Sequence, residues 1–471
     1  MPAIMVQGTT SSAGKSFLVA ALCRWFARTG VRVAPFKAQN MSNNARVVDG
    51  GEIGTAQYLQ ALASGVVPDV RMNPVLLKPE THTSSQVIVN GVFDRELSTL
   101  PWRGRSQLLW PHAQRALHSM LNEYELVIIE GAGSPAEINL YDDDFVNMRT
   151  AHEASAPVLV VADIDRGGAF AHLFGTWALS NDADRAQIRG FILNKFRGDA
   201  SLLAPAPQLL AEMTGVPTLG VLPWLKHCLP DEDGVSIGQM DLATDAATVG
   251  IVGYPTASNL DEFKPLEQVV KIVWVRNVET LKGIDLIVLP GSKHVSSDMA
   301  WLRSTGLADK VVQLARTGTR ILGICGGLQM LGERLVDEAS VDGDAVGLGL
   351  LPLVTVFKAA KRTVQIETRF ELLPDPWKSL SDIAFSGYEI RHGVTMATQP
   401  LCSALPAGLG YIQGSILAVY THGIFESRDV VRALFGGVAR TTLDETFEQL
   451  ADAINEHLDM SVIARFAGIS M

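Results

Sequence analysis

Cysteine is scarce: Cys23, Cys228, Cys325 and Cys402 are the four in 471 residues. They are widely scattered, with no CxxC pair and no metal-ligand spacing. That speaks against a disulfide framework and a cysteine metal site and for reduced thiols. Long apolar runs are also missing; none reaches the ~20 residues that cross a bilayer, so no membrane partner is expected. The N-terminal MPAIMVQGTT has no basic region leading into an apolar stretch. No secretory signal is therefore expected, and the chain reads as cytoplasmic. There is no basic run and no basic-aromatic stripe, and the net charge is -11. A nucleic-acid partner is not expected. Repeats and low-complexity segments are absent. What the chain does have is 47% hydrophobic residues, enough to bury large cores in two to four domains.

The stretch Arg320 to Arg334, RILGICGGLQMLGER, organises the reading. Ile321 to Ile324 predicts a short strand, Cys325 with Gly323, Gly326 and Gly327 a tight turn, and Leu328, Leu331 and Leu335 one face of a helix. Gly323-x-Cys325-x-Gly327 has the spacing of a nucleophile elbow with Cys in place of Ser. A helix N-terminus behind the thiol favours the reactive thiolate; a buried, inert Cys in a glycine-rich turn is the plain alternative. A Cys nucleophile needs a base near it in space. His422 follows the apolar run ILAVY and fits that place better than the other histidines. The N–H groups of Gly326 and of the Gly291-Ser292 turn would form an oxyanion hole.

A second motif opens the chain. AIMV predicts a strand, followed by Gly8-Thr9-Thr10-Ser11-Ser12-Ala13-Gly14-Lys15-Ser16 and then the helical FLVAALCRWFARTG. This is a phosphate loop with five residues between its glycines, one more than usual. Gly8, Thr9 and Gly14 would cradle phosphates, Lys15 would reach the terminal phosphoryl oxygens, and Ser16 would bind Mg²⁺. VRVAPFK predicts the next strand, ending in the polar loop Gln39 to Asn44. The stretch RMNPVLLKPETHTSSQ, with Pro74 and Pro79, reads as an ordered loop. LVII predicts a buried strand ending at Glu130, placed as a second Mg²⁺ ligand or else a capping carboxylate. Asp142, Asp143 and Asp144 cluster shortly after; a solvated face and a catalytic or metal-linked role both remain open. Further strands at 157–162, 188–193 and 216–222 complete a doubly wound, mainly parallel α/β half.

A second α/β series begins at Thr248 and runs through 272–275, 286–289, the Cys325 elbow, FSGYEI and the 416–420 strand to a mostly helical tail. The expected organisation is 1–228 for the first domain, 229–247 for a linker, 248–440 for the second domain and 441–471 for a C-terminal tail.

The second half resembles class I glutamine amidotransferase domains. The whole chain is similar to the cobyric acid synthase family. The resemblance rests on GTTSSAGKS, APFKAQNMSNN, RMNPVLLKPE, EGAGSPAEINL, VADIDRGG, NKFRGD, PWL, LPGSK, GICGGLQMLG, GYEI and HGIF, and the phosphate loop is of the dethiobiotin-synthetase type. It implies two doubly wound domains, one nucleotide-binding and one releasing ammonia from glutamine. It further implies ATP- and Mg²⁺-dependent amidation of a corrinoid's carboxylates. In that frame Cys325 is the nucleophile and His422 its base, Ser16 and Glu130 hold the metal, and Asn194 lies near the adenine. Asp142 and Asp144 lie near the transferred group. Three positions depart from the family's pattern: Ile424 stands where a Glu usually follows the His, His294 where Asn follows GSK, and Arg391-His392 where His-Met is usual. The first implies a Cys325–His422 dyad, with Glu426 the remaining candidate for an orienting acid. Cobyrinic acid a,c-diamide synthase, a partition-type P-loop ATPase and a non-catalytic glutamine-binding module are the alternative readings. The oligomeric state is not legible.

Overall fold

A computed structural model describes residues 2–80, 84–225, 229 and 246–469. Most of the expected 229–247 linker, together with Cys228 and Thr81 to Thr83, lies outside them. Two compact units divide the chain. The first holds Met1–Ser42, Val48–Gly234 and Thr441–Met471, and the second Asn43–Val47 and Val235–Arg440.

The first unit is built on six parallel strands: β1 (Ala3–Gly8), β2 (Val33–Phe36), β3 (Leu126–Glu130), β4 (Val158–Asp163), β5 (Ile188–Phe196) and β6 (Thr218–Pro223), in the order β6-β5-β4-β1-β3-β2. Their apolar residues alternate between two cores. Met5, Ile129 and Val160 face one; Ile4, Val6, Ile128 and Val161 face the other. A sheet covered on both faces reads as such unbroken apolar runs. The order reverses at β1, so the loop after β1 opens into the crevice where ligands of doubly wound sheets sit.

Two sequence expectations are corrected in this unit. Gln39–Met41, expected as a loop, is a strand, and the 71–86 stretch expected as an ordered loop holds the strand Val75–Pro79 and the start of the strand Ser85–Val89; with Val92–Asp94 they make a second, four-stranded sheet. Val75, Leu76, Leu77, Val87 and Ile88 are all buried there. Pro79 is harmless because it falls at a strand's end. The expected helical tail takes the form of helices at Leu443–His457 and Met460–Phe466, which pack on the first unit. Phe447, Leu450 and Ile454 join the core formed by Leu18, Leu22 and Phe26 of α1 (Lys15–Arg28). Burying a side chain the size of Phe447 contributes about 1.5–3 kcal/mol. Arg24 and Arg28 pair with Asp444, Glu448 and Asp452 at the rim of this packing. Exposed pairs of this kind contribute ~1 kcal/mol or less each.

The second unit carries β7 (Thr248–Val252), β8 (Lys271–Val275), β9 (Leu286–Leu289), β10 (Arg320–Ile324), β11 (Cys402–Leu405), β12 (Gly410–Gln413) and β13 (Ile416–Val419), in the order β8-β7-β9-β10-β13-β12-β11. β9, β10 and β13 are mutually parallel neighbours, while β12 and β11 add antiparallel. Three adjacent parallel strands thus end at one edge, and the turns that leave them are brought together there. A separate four-stranded sheet includes Leu353–Arg369 and Ala384–Ala397; the latter contains FSGYEI.

The helix after Cys325 is shorter than the leucine spacing predicts: it spans Gly326–Leu331, and Leu335 lies in the strand Arg334–Val336. A Cβ at Gly332 would lie 2.7 Å from the Leu353 carbonyl oxygen. Glycine at that point lets the chain leave the helix and pair in parallel with Leu353–Arg369.

Candidate active site

Cys325 stands between β10 and the helix Gly326–Leu331 with φ 50° and ψ -102°, a backbone conformation rarely tolerated outside glycine. The strain persists because packing leaves the turn no alternative. A Cβ at Gly327 would lie 1.9 Å from the Leu289 carbonyl oxygen, and one at Gly323 would lie 2.7 Å from the Gly327 carbonyl oxygen. Strand, turn and helix therefore press together with no room for side chains. His422 follows β13 and is buried, and the Cys325 sulfur lies near enough to act on its ring; the thiol itself donates to the Ile390 carbonyl at 3.7 Å. The β9 turn approaches from the other side. A Cβ at Gly291 would lie 2.7 Å from His422 Cε1, and one at Gly326 would lie 2.7 Å from the Ser292 nitrogen. The three sequence elements nominated for this chemistry thus meet at one sheet edge.

The dyad expectation is corrected. His422 Nδ1 is 3.0 Å from Glu262 Oε1, and the Gly423 N–H donates to Glu262 Oε2 at 2.9 Å. Glu262 belongs to the 3₁₀ segment Leu260–Gln268 and is fully buried. Glu426 does not orient the imidazole; it pairs with Arg46 at 2.6 Å. Burial alone would strip the His422 ring of its proton, but the Glu262 carboxylate and the Cys325 sulfur outweigh that and push its pKa up to about 10. A charged imidazolium beside the sulfur is the partner a thiolate needs. The Tyr388 ring stacks on His422 at 5.4 Å, and the two residues exchange backbone hydrogen bonds of 2.9 and 3.2 Å. Nothing in the sequence marked Glu262: it lies 160 residues from its histidine, in LDEF, a stretch with no recognisable spacing. Tyr388 was visible only as part of GYEI.

The phosphate loop occupies the crevice of the first unit. Gly14 caps α1 with φ 101°, and a Cβ there would lie 2.0 Å from Asn194 Nδ2. Asn194 in turn donates to the Ala13 carbonyl at 2.9 Å. Lys15 Nζ donates to the carbonyls of Thr10 and Gly133 at 3.1 and 3.2 Å. Ser16 Oγ donates to Glu130 Oε1 at 2.8 Å, and buried Lys37 meets the same oxygen at 2.8 Å. Gln57 and Gln60 also donate to Glu130. Three buried atoms around this loop, Gln7 Oε1, Thr9 Oγ1 and Gln60 Oε1, have no hydrogen-bond partner among the described residues. Such orphans are costly in a closed core; Thr9 Oγ1 can donate to a phosphate oxygen, whereas the two amide oxygens accept and call for a donor or a cation. Lys195, Arg197 and Trp224 gather at the ends of β5 and β6; the Arg197 guanidinium lies 3.8 Å over the Trp224 ring, and Lys195 Nζ donates to the Ser12 carbonyl at 2.7 Å.

The acidic cluster divides. Asp142 is exposed. Asp144 accepts from the N–H groups of Val146 and Asn147 and from Asn147 Nδ2, at 2.8, 3.1 and 2.7 Å. Burial pushes the Asp144 carboxyl above its usual range. Asn147 is bonded at both ends to Ala132, next to the Gly133 carbonyl that Lys15 holds. Both aspartates line a cavity of about 500 Å³ with Arg149 and His152.

A strained cysteine paired with a buried histidine and carboxylate, on the elbow of one doubly wound unit, defines the glutamine amidotransferase class. Residues 248–430 match the family described as CobB/CobQ-like glutamine amidotransferase domain. Residues 4–233 match the CobQ/CobB/MinD/ParA nucleotide binding domain. Along its whole length the chain is 55% identical over 471 residues to the cobyric acid synthase of Variovorax paradoxus, covering 98% of each chain. It is 53% identical over 476 residues to that of Polaromonas naphthalenivorans, again covering 98% of each. The chain belongs to the cobyric acid synthase family. No helix among the described residues is long and apolar enough to cross a membrane.

Proposed function

We propose that this enzyme amidates the b, d, e and g carboxylate side chains of adenosylcobyrinic acid a,c-diamide, using ATP and ammonia drawn from glutamine. The observation that carries this reading is that one chain holds both a Cys325–His422–Glu262 site and a phosphate loop backed by Glu130.

In the second unit the Cys325 sulfur attacks the side-chain amide carbon of glutamine. The oxyanion that forms is met by the N–H groups of Gly326 and Gly291; the former is a free first-turn donor of its helix. His422 gives its proton to the departing nitrogen, and ammonia leaves behind a glutamyl thioester. His422 then takes a proton from water as it attacks the thioester, releasing glutamate. Glu262 keeps the ring oriented and stabilises its charge throughout.

In the first unit a corrinoid carboxylate attacks the γ-phosphorus of ATP, giving an acyl phosphate and ADP. Ammonia attacks the acyl carbon, and phosphate leaves. Lys15 supplies fixed positive charge to the group in transfer. Gly8, Thr9 and Gly14 cradle the phosphates, and Asn194 borders the adenine. Asp142 and Asp144 flank the acceptor and are placed to handle its protons. Ser16 Oγ and Glu130 Oε1, which meet at 2.8 Å, are oxygen donors of the kind Mg²⁺ takes and would hold it beside the phosphates. The ion would contribute charge neutralisation on the phosphates.

The test is mass spectrometry of the a,c-diamide incubated with the enzyme, ATP, Mg²⁺ and glutamine. The expected product series reflects four successive conversions of carboxylate to amide. Amidation of the unmodified cobyrinic acid at a and c instead would favour the sibling synthase.

A further inference from the structure

The glutamine site of the second unit includes a residue from far upstream. Asn43–Val47 is part of that unit although Ser42 and Val48, on either side of it, belong to the first. The segment is fastened there by several bonds. Asn44 Oδ1 accepts the Leu260 N–H at 3.0 Å, and Gln365 Nε2 donates to the Val47 carbonyl at 2.9 Å. At its centre Arg46 is buried. Its Nη2 lies 2.6 Å from both Asp261 Oδ2 and Glu426 Oε1, and its Nη1 donates to the Tyr388 hydroxyl at 2.6 Å.

Each of these partners adjoins something that holds His422. Asp261 is the chain neighbour of Glu262, which binds the His422 ring. Tyr388 stacks on that ring and pairs with its backbone. Glu426 closes the turn Ile424–Glu426 that follows it. One guanidinium therefore ties together the three elements that fix the imidazole. The charge arithmetic points the same way. Asp261, Glu262 and Glu426 place three carboxylates around one imidazolium; Asp261 and Glu262 are buried while Glu426 is partly exposed, and buried like charges do not stay ionised without a further cation. Burial leaves the Asp261 carboxyl raised overall, with Arg46 pulling it down toward the ionised form. A planar fork with several fixed donors suits three acceptors at once in a way that a lysine ammonium does not.

We propose that Arg46 is a positioning residue for glutamine hydrolysis: it holds Asp261, Tyr388 and Glu426 so that Glu262 and His422 face Cys325 in working register. This rests on the glutaminase reading given above. Arg46's described partners, Asp261, Tyr388 and Glu426, are groups that hold His422, so its loss is expected to act on the rate of the chemical step and not on binding.

The experiment compares wild type, Arg46→Met, Arg46→Lys and Cys325→Ser in the full chain, with circular dichroism to establish folding. Two quantities are read: the kinetics of glutamate release, and the rate at which iodoacetamide alkylates the Cys325-bearing peptide at neutral pH. Arg46→Met is expected to lower kcat by roughly 10- to 100-fold, the size typical of removing a partner that orients a reacting group. KM for glutamine should stay within about threefold, since the binding contacts remain. Alkylation of Cys325 should slow in parallel, and Arg46→Lys should recover part of both losses. A folded Arg46→Met with wild-type kcat and alkylation overturns the proposal, as does a change confined to KM. If Arg46→Met does not fold, Arg46→Lys decides: wild-type kcat and alkylation overturn the proposal, and an intermediate loss in both supports it. A wild-type enzyme that releases no more glutamate than Cys325→Ser would overturn the glutaminase reading itself.

Discussion

The two units hold their reactive groups in opposite ways. In the second, the charged groups satisfy one another: His422 meets both Glu262 and Cys325, and Arg46 meets Asp261, Glu426 and Tyr388. In the first, the Lys15 ammonium is held by two carbonyls, of Thr10 and Gly133; buried side-chain atoms without partners among the described residues occur in both units, Gln7 Oε1, Thr9 Oγ1 and Gln60 Oε1 here and Thr421 Oγ1 beside His422 there. The difference comes from the task of each site. A thiol site needs its base charged and aimed before glutamine arrives, so the protein supplies the counter-charges itself. A phosphate site meets a ligand that carries its own strong acceptors and negative charge, so the protein supplies donors for it, the loop N–H groups and the Lys15 ammonium.

The comparison can be broken most sharply at Cys325. Cys325→Ser should reduce glutamine-dependent amidation by ~10⁴-fold or more, in line with removal of other enzyme nucleophiles. Added ammonium, at alkaline pH to supply free NH₃, should restore it because the first unit is untouched. Corrinoid product formed with each nitrogen source measures this, and persistent activity with glutamine would remove Cys325 from the mechanism. Lys15→Ala should do the converse, with product from glutamine and from ammonium falling together by about 10²- to 10³-fold, or 2.7–4 kcal/mol of transition-state stabilisation. A near-normal rate with ammonium would contradict the phosphate-loop assignment.

Glu262→Gln sharpens the electrostatic side. Glutamate release should drop about 10²-fold, the scale of general acid–base assistance. The pH profile should move with it. Glu262 holds the His422 pKa up, at about 10, so the ring remains able to donate its proton until the pH approaches that value. With a neutral amide in its place the effect of burial dominates and the pKa falls. The alkaline limb of glutamine hydrolysis should therefore shift to lower pH, and an unmoved limb would show that Glu262 does not set the charge of His422. Glu426→Gln is the smallest change. The amide keeps a hydrogen bond to Arg46, and Asp261 still balances its charge. Glutamate release is expected to stay within roughly tenfold, about 1.4 kcal/mol.

Much of this was legible in the sequence wherever contacts are local. The phosphate loop is one turn of chain, and Gly14, Lys15 and Ser16 announce it because a single backbone stretch does the binding. The elbow at Cys325 is equally local, since only glycines at 323, 326 and 327 permit it. The parallel sheets are implied by short apolar runs separated by helical patterns. His422 could be placed because a base is required and β13 ends beside it.

What the sequence could not determine is whatever depends on distant segments meeting. Strand pairing overrode the proline-rich look of 71–86 and ended the helix at Leu331, because backbone groups in a packed layer must find partners. Glu262 and Arg46 became members of the glutamine site only through the fold. A carboxylate or guanidinium carries no mark of what it will face, and its energy is set by burial and by the charges brought alongside it.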